Sequence, residues 1–245
     1  MPRVPKWLGN TVEKVFAGQF RQVIVTETAY LDRDLKRIRF EGDLKSTRFV
    51  PGNVIEFRVS DTEYRHYTPS YYDSENGICD VIFYLHDKGP GSKWADLLET
   101  GTQVKIMGPG GRLRYNERSK HHFLFGDETS LGLFQCLKEV VQENDQEYFC
   151  VAELEKNNRS WASLAGLSAE VVSKSDEHPA REAIAILTEI KQYKSECWDA
   201  WRKATFYLTG RAKSIQAFRN ALVTSGVSRS QILTQPYWAE GKYGL

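Results

Sequence analysis

Two patterns of apolar and polar positions divide the chain near residue 117. Between residues 20 and 107, apolar and polar residues alternate in short runs, a period typical of half-buried β-strands. Turn-forming residues separate the runs, as in Val50-Pro-Gly-Asn53 and Ser74-Glu-Asn-Gly77. The runs are Gln22–Thr26, Arg37–Phe40, Asn53–Val59, Cys79–Leu85 and Gln103–Met107. This spacing predicts an antiparallel β-barrel or sandwich, with one helix over Lys93–Glu99 that Ser92 caps and Gly101 ends.

Beyond Tyr115–Lys120, a polar stretch suited to a linker, strands and helices alternate. The predicted strands are His122–Phe125, Glu147–Ala152, Ala169–Val172 and Thr205–Leu208, and the predicted helices are Leu131–Gln142, Pro179–Tyr193 and Ser214–Ser225. This alternation is typical of a parallel sheet covered by helices on both faces. We therefore predict two domains, an antiparallel β-barrel over residues 1–117 and an α/β parallel-sheet domain over residues 118–245.

The charge and the cysteines narrow the class of protein. The 245 residues carry 33 Lys and Arg against 32 Asp and Glu, a formal net charge of +1 that argues against a nucleic-acid-coating protein. The four cysteines form no Cys-x-x-Cys pair, so no metal site is predicted. The sequence has no apolar run of about 18 residues that would span a membrane. Residues 1–10 do not resemble a secretory signal, so we expect a cytoplasmic location.

Two neighbouring segments carry the candidate chemistry of the first domain. In Arg65-His-Tyr-Thr68, an arginine, an aromatic ring and a hydroxyl can serve a phosphate, a planar ring and a ring nitrogen. A strand with a surface arginine gives the same pattern. In Lys88-Gly-Pro-Gly-Ser-Lys-Trp94, small residues begin a helix whose free backbone N–H groups favour a phosphate, although an ordinary turn has the same composition. In this order and spacing, the two segments are more specific than either one alone.

With these segments, the chain resembles the ferredoxin–NADP⁺ reductase superfamily and, within it, the siderophore-interacting proteins, which are FAD-dependent ferric-siderophore reductases. The resemblance extends from about residue 20 to the C-terminus in the family's order. Its further anchors are Asp80–His86, Gly108-Pro-Gly-Gly111, Gly126-Asp-Glu-Thr-Ser-Leu131, and Tyr237-Trp238 close to Gly241. The resemblance implies an FAD-binding barrel followed by an NAD(P)H-binding domain.

The resemblance also implies roles for residues of the first domain. Arg65 would hold the FAD pyrophosphate, Tyr67 would pack on the isoalloxazine, and Thr68 would hydrogen-bond near flavin N5. Tyr67 and Thr68 are therefore the residues predicted to act at the reacting ring. Gly91 and Ser92 would complete the pyrophosphate cradle.

Three further features qualify the resemblance. His86 ends the strand that leads into the cradle and would lie near the cofactor, although such a histidine is often structural. Family members commonly carry a basic residue soon after the Tyr-Thr pair, whereas Pro69-Ser-Tyr-Tyr72 follows here. The second domain has no Gly-x-Gly-x-x-Gly motif, so a tightly cradled dinucleotide pyrophosphate of the Rossmann kind is not expected.

Candidate nucleotide residues lie in the second domain. By the resemblance, Asp127 and Thr129 border the nicotinamide and the flavin, although an acid at a helix start also suits a cap. Trp238 is predicted to cover the flavin or its adenine, or alternatively to clamp the sheet. Carboxylates after the second strand suit a free ribose 2′-hydroxyl, and basic residues suit a 2′-phosphate. The carboxylates are Glu153 and Glu155, and the basic residues are Arg159, Arg211 and Lys213.

Because Gly210–Lys213 follows a strand at the carboxyl edge of the sheet, we favour NADPH over NADH. An anionic ferric siderophore requires basic side chains beside the flavin. The candidates, which are otherwise ordinary surface residues, are Lys45, Arg48, Arg112 and Arg114.

The predicted function is that of an FAD-dependent oxidoreductase. It would pass electrons from NAD(P)H, or from ferredoxin, through the flavin to a ferric siderophore and release Fe(II). One alternative is a flavin reductase whose acceptor is a ferredoxin or another redox protein. Another is a non-catalytic binding module on the same fold. Neither nucleic acid nor a membrane is expected as a partner.

Overall fold

The structure is a computed structural model that describes residues 20–193 and 195–242. The chain divides between Arg114 and Tyr115 into two compact units, the first unit and the second unit. In the described ranges, no helix is long and apolar enough to cross a membrane. The N-terminal stretch that was compared with a secretory signal lies outside the described residues.

The first unit contains one antiparallel sheet, which curls. Its strands are β1 (Phe20–Asp32), β2 (Leu35–Gly42), β3 (Val54–Arg58), β4 (Tyr64–Tyr67), β5 (Tyr71–Asp73), β6 (Ile78–Tyr84) and β7 (Gln103–Gly110). The order β4-β3-β7-β1-β2-β6-β5 places β4 and β5 at opposite edges, although only residues 68–70 join them. A flat sheet would hold these edges about 29 Å apart, whereas the link spans at most about 14 Å. The sheet is therefore barrel-like, and the strand pairings leave it open at the β4–β5 seam.

The core of the first unit follows from the alternation along its strands. Val23 and Val25 on β1, and Ile38 and Phe40 on β2, are buried, and the residues between them are more exposed. This period of two confirms the predicted strand runs. Aromatic rings fill the interior, and they belong to Phe40, Phe57, Tyr67, Phe83 and Trp94.

The helix of the first unit begins earlier than the sequence suggested. Helix α1 spans Pro90–Asp96 with Gly89 at its N-cap, so the prediction that Ser92 caps this helix is wrong. Proline is favoured at the first helical position because its φ is already helical and its missing N–H would have no partner there. Ser92 lies inside the first turn, where its Oγ accepts a hydrogen bond from the backbone N–H of Asp87 at 3.1 Å.

A buried lysine holds the other end of α1. Lys36 is 2% exposed, and its Nζ donates to the carbonyl oxygens of Ala95, Asp96 and Leu98 at 3.1, 2.8 and 2.9 Å. The three N–H donors of the ammonium match three carbonyls near the helix end, where carbonyls lack intrahelical partners. Desolvation lowers the pKa of Lys36. The hydrogen bonds and the negative end of the helix dipole offset this desolvation cost.

The second unit contains one parallel sheet with helices. Its strands are β8 (His121–Gly126), β9 (Glu147–Leu154), β10 (Glu170–Ser173), β11 (Thr205–Arg211) and β12 (Ile232–Trp238). Its helices are α2 (Leu131–Glu143), α3 (Trp161–Leu164), α4 (Arg181–Tyr193), α5 (Ser195–Trp201) and α6 (Ala212–Thr224). The order β10-β9-β8-β11-β12 reverses direction between β8 and β11. In open α/β sheets, ligands bind beside the carboxyl ends of the strands at such a reversal.

The sequence missed three elements of the second unit, namely β12, α3 and α5. Strand β12 is an edge strand with Pro236 inside it and only one fully buried residue, Ile232. Its apolar pattern is therefore weak, and an edge strand tolerates a proline because one side of it lacks ladder partners. Helices α3 and α5 have four and seven residues, too few to display a helical period.

Residues 115–120 do not form a free linker. Tyr115 Oη donates to Gln146 Oε1 at 2.6 Å, and the backbone N–H of Asn116 donates to Tyr207 Oη at 2.9 Å. The buried imidazole of His122 lies between these partners, with Nε2 2.8 Å from Gln146 Oε1 and Nδ1 3.3 Å from Tyr207 Oη. The segment connects the two units without helix or strand, and these contacts fasten it to the second unit. The assignment of residues 1–117 and 118–245 to FAD and NAD(P)H binding stays a prediction.

Candidate functional site

The predicted flavin residues of the first unit meet where α1 packs on β4. A Cβ placed on Gly91 would lie 2.2 Å from Tyr67 Oη and 3.2 Å from Arg65 Cγ, so only glycine permits this approach. The first turn of an α-helix also presents backbone N–H groups that lack an intrahelical acceptor. The structure thus places these N–H groups next to the stem of the Arg65 side chain. Backbone N–H groups and a guanidinium are the donors that bind a pyrophosphate.

Arg65 is held in place by its neighbours on the chain. One terminal nitrogen donates to the carbonyl oxygen of Tyr64 at 2.8 Å, and the other lies 3.2 Å from Glu63 Oε1. A guanidinium carries five N–H donors, more than these two bonds use. Arg65 can therefore keep these contacts and still donate to a phosphate.

Tyr67 lies in the aromatic core of the first unit. Its ring centroid is 4.7 Å from that of Phe83 and 6.0 Å from that of Phe57. Burial raises the pKa of Tyr67, so its hydroxyl stays protonated. Thr68, the next residue, is buried in the link between β4 and β5. Packing of Tyr67 on the isoalloxazine and hydrogen bonding of Thr68 near N5 stay predictions.

The link at the β4–β5 seam is anchored to β6. The backbone N–H and the Oγ of Ser70 both donate to the carbonyl oxygen of Asp80, at 2.8 and 3.2 Å. The Asp80 carboxylate in turn accepts two hydrogen bonds of 2.8 Å from the Arg39 guanidinium. Such bidentate pairs fix direction as well as distance. The backbone around Thr68 is therefore well determined by the sheet.

His86 lies at the turn that leads into α1. Its Nδ1 accepts a hydrogen bond from the backbone N–H of Lys88 at 3.2 Å, and its ring packs edge-on against Tyr84 at 5.4 Å. Desolvation lowers the pKa of His86 even though part of the ring is exposed, which agrees with a neutral Nδ1 acceptor. These contacts shape the turn. The predicted position of His86 near the cofactor stays a prediction.

In the second unit, Asp127 follows β8 and is buried at the carboxyl edge of the sheet. Its Oδ1 accepts from the backbone N–H and the hydroxyl of Thr129 at 3.0 and 2.5 Å, and its Oδ2 accepts from Trp238 Nε1 at 2.6 Å. Gly210 permits this packing, because a Cβ there would lie 2.5 Å from Asp127 Oδ1. Burial raises the pKa of Asp127. Asp127 thus caps the 3₁₀ turn Glu128–Ser130 and joins β12 to β8 through Trp238. This arrangement agrees with the alternatives of a cap for Asp127 and of a clamp on the sheet for Trp238.

Lys174, directly after β10, forms a buried ion pair with Glu128. Desolvation opposes the charge on Lys174, but Asp127, Glu128 and Glu155 raise its pKa on balance. Its Nζ also lies 5.7 Å from the ring centroid of Trp238, within the range of a cation–π contact. The sequence analysis did not single out Lys174 or Glu128, because they are 46 positions apart and nothing local indicates that they pair.

Arg211, the last residue of β11, is 1% exposed, and protein acceptors surround its guanidinium. Its Nε donates to Glu240 Oε1 at 2.6 Å, and its terminal nitrogens donate to the carbonyl oxygen of Ser175 at 2.8 Å and to Asp176 Oδ1 at 2.5 Å. Lys213 Nζ lies 3.7 Å from Glu240 Oε2. Two cations predicted to meet a nucleotide phosphate are therefore paired with carboxylates that the sequence did not reveal.

The two predicted carboxylates differ in their surroundings, and Glu153 lies within β9 rather than after it as the sequence suggested. Glu153 is buried and accepts from the backbone N–H of Ala180 at 2.7 Å and from Ser214 Oγ at 2.5 Å, so it joins strand to helix. The side chain of Glu155 is 57% exposed, and its Oε1 lies 3.8 Å from Lys174 Nζ. Arg159 donates two hydrogen bonds to β10.

The four predicted siderophore-binding cations lie on exposed segments that follow β2 and β7 of the first unit. They are Lys45, Arg48, Arg112 and Arg114. Lys45 borders a shallow pocket of about 320 Å³, which Asp43 and Glu75 also line. These carboxylates do not favour an anionic ligand in that pocket. The assignment of the four cations to the substrate stays a prediction.

Comparison with solved structures defines the class of protein. The chain is similar to the ferredoxin reductase in carbazole 1,9a-dioxygenase, with a TM-score of 0.73 and 17% identity over 89% of this chain and 69% of that chain. It is also similar to the siderophore-interacting protein from Acinetobacter baumannii, with a TM-score of 0.71 and 16% identity over 91% of this chain and 92% of that chain. Identities this low establish the fold, which is ferredoxin reductase-like.

Comparison with family models goes further. Residues 54–113 match the siderophore-interacting FAD-binding domain, and residues 119–241 match the siderophore-interacting protein model. The chain belongs to the siderophore-interacting protein family. The ferric vibriobactin reductase ViuB of Vibrio cholerae is 23% identical over 180 residues, 73% of this chain. The match covers 65% of that relative, less than two thirds of its length.

Proposed function

We propose that the chain is an FAD-dependent oxidoreductase that passes electrons from NAD(P)H, or from ferredoxin, to a ferric siderophore and releases Fe(II). The observation that carries the proposal is the packing of Arg65 and Tyr67 on Gly91, inside the region that matches the FAD-binding model. The name of the relative ViuB, a ferric vibriobactin reductase, supports the choice of acceptor. Bound FAD would supply hydride acceptance from a nicotinamide and one-electron donation to Fe(III).

Residues of the first unit would bind and orient the cofactor. Arg65 and the N–H groups of Gly91 and Ser92 would hold the pyrophosphate, and Lys36 would hold α1 from its other end. Thr68 would donate or accept a hydrogen bond near N5. Tyr67, fixed by the aromatic core, would support the ring system.

The second unit and the exposed cations would handle the reactants. A nucleotide would lie at the carboxyl edge between β8 and β11, beside Asp127, Thr129 and Trp238. Lys45, Arg48, Arg112 and Arg114 would attract an anionic ferric chelate. Reduction weakens the binding of iron to the hard oxygen ligands of the chelate, so Fe(II) would leave. We also propose a cytoplasmic location.

The test is the visible spectrum of the full chain mixed with FAD and desalted. A retained flavin spectrum that bleaches anaerobically with NADH, NADPH or reduced ferredoxin is expected. Reoxidation by a ferric siderophore should release Fe(II), measured with a ferrous chelator. Arg65→Gln should weaken FAD binding about tenfold, by loss of a charge-assisted phosphate contact. Arg37→Gln, on an exposed face of β2, should not weaken it.

Two outcomes would favour the alternatives. A flavin that reoxidises with a protein acceptor but not with ferric chelates would identify a flavin reductase with a redox-protein partner. A chain that takes up no flavin at saturating FAD would be a binding module.

A further inference from the structure

We propose that the second unit selects NADH against NADPH and that Glu240 sets this selectivity. The inference rests on the proposed function, because it concerns the nucleotide that would deliver electrons. The sequence favoured NADPH because Arg211 and Lys213 follow β11 at the carboxyl edge of the sheet. The structure shows how those two side chains are engaged.

A 2′-phosphate carries nearly two negative charges at neutral pH and needs guanidinium or ammonium donors that are free to meet it. The Arg211 guanidinium is buried and donates to Glu240, Asp176 and the carbonyl oxygen of Ser175. A phosphate could bind it only by displacing Glu240 or Asp176, which already pair with the guanidinium. That step exchanges one anionic partner for another and so brings little net gain in charge-assisted hydrogen bonding.

Glu240 faces both cations. Its Oε1 accepts from Arg211 Nε at 2.6 Å, and its Oε2 lies 3.7 Å from Lys213 Nζ. Its side chain is 37% exposed, so it lies where a ligand would approach the pair. Together with Asp176, this carboxylate neutralises the two cations that a 2′-phosphate would use.

Lys174 and Arg159, two further cations of this edge, do not replace Arg211 and Lys213, and the exposed Lys156 adjoins the exposed carboxylate of Glu155. Lys174 is paired with Glu128 in the interior. Arg159 directs its guanidinium to β10, at the outer side of the sheet, through Ser173 Oγ and the carbonyl oxygen of Val171. These contacts leave the crevice between β8 and β11 without an unpaired cation from either residue.

A free 2′-hydroxyl, in contrast, finds a suitable acceptor. Glu155 directly follows β9, the second strand of the parallel sheet, and its side chain is 57% exposed. A carboxylate after the second strand is the group that accepts the ribose 2′-hydroxyl of NAD in dinucleotide-binding sheets. Glu155 would repel a 2′-phosphate at the same place. Charge thus favours the unphosphorylated nucleotide at both positions.

The test is isothermal titration of the FAD-loaded full chain with NAD⁺ and with NADP⁺. We expect NAD⁺ to bind at least about tenfold more tightly than NADP⁺. NADP⁺ lacks the 2′-hydroxyl that would donate a charge-assisted hydrogen bond to Glu155, and its 2′-phosphate is repelled by that carboxylate. Glu240→Gln should tighten NADP⁺ binding about fivefold, because a partly exposed ion pair contributes an energy of about that factor. The same variant should leave NAD⁺ binding within about twofold. Glu155→Gln should weaken NAD⁺ binding and should not weaken NADP⁺ binding.

Glu189→Gln is the matched control, because it makes the same charge change at an exposed position of α4. It should leave the ratio of the two dissociation constants unchanged. Rates of flavin reduction by NADH and NADPH should follow the same ratio as the binding constants in every variant.

The outcomes separate this inference from the proposed function. Equal or tighter binding of NADP⁺, or an unchanged ratio in Glu240→Gln, would overturn the selectivity while leaving the reductase intact. Binding of neither nucleotide by a protein that still reduces a ferric siderophore after photochemical flavin reduction would also overturn it, and would leave ferredoxin as the donor. A chain that binds NAD⁺ selectively but takes up no FAD would support the selectivity and refute the proposed function.

Discussion

The first unit shapes its candidate site by close backbone packing, and the second unit shapes its site by buried charge. In the first unit, α1 meets β4 at Gly91, where a single added carbon would lie 2.2 Å from the Tyr67 hydroxyl. In the second unit, Lys174 and Arg211 are enclosed by carboxylates at the sheet edge. The first arrangement is sensitive to volume and the second to charge, so different substitutions should disrupt them.

The largest expected effect comes from unbalancing the buried charges. Lys174→Met leaves Glu128 buried without its ammonium partner, and we expect the free energy of unfolding to fall by about 3–5 kcal/mol. Urea unfolding followed by circular dichroism measures this loss. Lys156→Met, at an exposed position, should change stability by less than about 0.5 kcal/mol.

A double variant sharpens this prediction. Lys174→Met with Glu128→Gln removes both charges and should recover part of the stability, because the cost lies in the unpaired carboxylate. A single-variant loss below about 1 kcal/mol would mean that Glu128 is not enclosed as the structure indicates.

A smaller effect is expected from added volume in the first unit. Gly91→Ala should raise the dissociation constant for FAD at least about tenfold, because overpacking costs about 1–3 kcal/mol. Equilibrium titration of the apoprotein with FAD measures it. Helix propensity cannot explain such a loss, since alanine favours a helix more than glycine does.

Two further variants test the origin of that loss. Gly110→Ala is the matched control, because a Cβ at Gly110 meets nothing within 4 Å. Tyr67→Phe in the Gly91→Ala background removes the hydroxyl in the way and should restore part of the affinity. Unaltered FAD binding by Gly91→Ala would place the cofactor elsewhere.

The free energy of unfolding should depend on pH, and His122 in the second unit should contribute more to this dependence than any other histidine. Desolvation lowers the pKa of His122 below its ordinary value of 6.5. Below about pH 6.5 the unfolded chain then binds a proton that the folded chain does not, so stability falls as the pH falls, by at most about 1.4 kcal/mol per pH unit. Urea unfolding between pH 7.5 and pH 5 should show this slope.

Substitution separates His122 from the other histidines. His122→Gln should remove most of its contribution to the slope, whereas His178→Gln, on an exposed loop, should retain it. His86 shifts in the same direction but is partly exposed, so its share should be smaller. Identical slopes for the wild type and His122→Gln would show that the imidazole is solvated.

The smallest effect is expected at an exposed ion pair. Arg37 lies 3.0 Å from Glu27, with side-chain exposures of 35% and 48%. Arg37→Gln should change the free energy of unfolding by less than about 1 kcal/mol, because water screens such pairs. If Arg37→Gln lowered the free energy of unfolding as much as Lys174→Met does, buried and exposed ion pairs would not differ in their contribution to stability. Urea unfolding in the same buffer gives the comparison directly.

Local patterns predicted much of the fold and part of the site. Most strands of both units follow from the period and the run length of apolar residues, and the anchors around Arg65 and Gly91 identified the family. The cap by Ser92 was wrong because Pro90 begins the helix three residues earlier than predicted. The segment 115–120 is held more firmly than its polar composition suggested, because the Tyr115 hydroxyl bonds to Gln146 and the backbone N–H of Asn116 bonds to Tyr207, both far along the chain.

The sequence by itself determined most of the elements, the two-part organisation and the family, since these depend on short-range periodicity and on motifs. Only the tertiary structure decided which charges are available. Asp127 meets Trp238 across 111 residues, and Arg211 meets Glu240 across 29. The sequence gives the charge of a side chain but does not show which group it pairs with. Its partner determines whether it binds a ligand or balances a charge within the fold, because burial makes pairing obligatory.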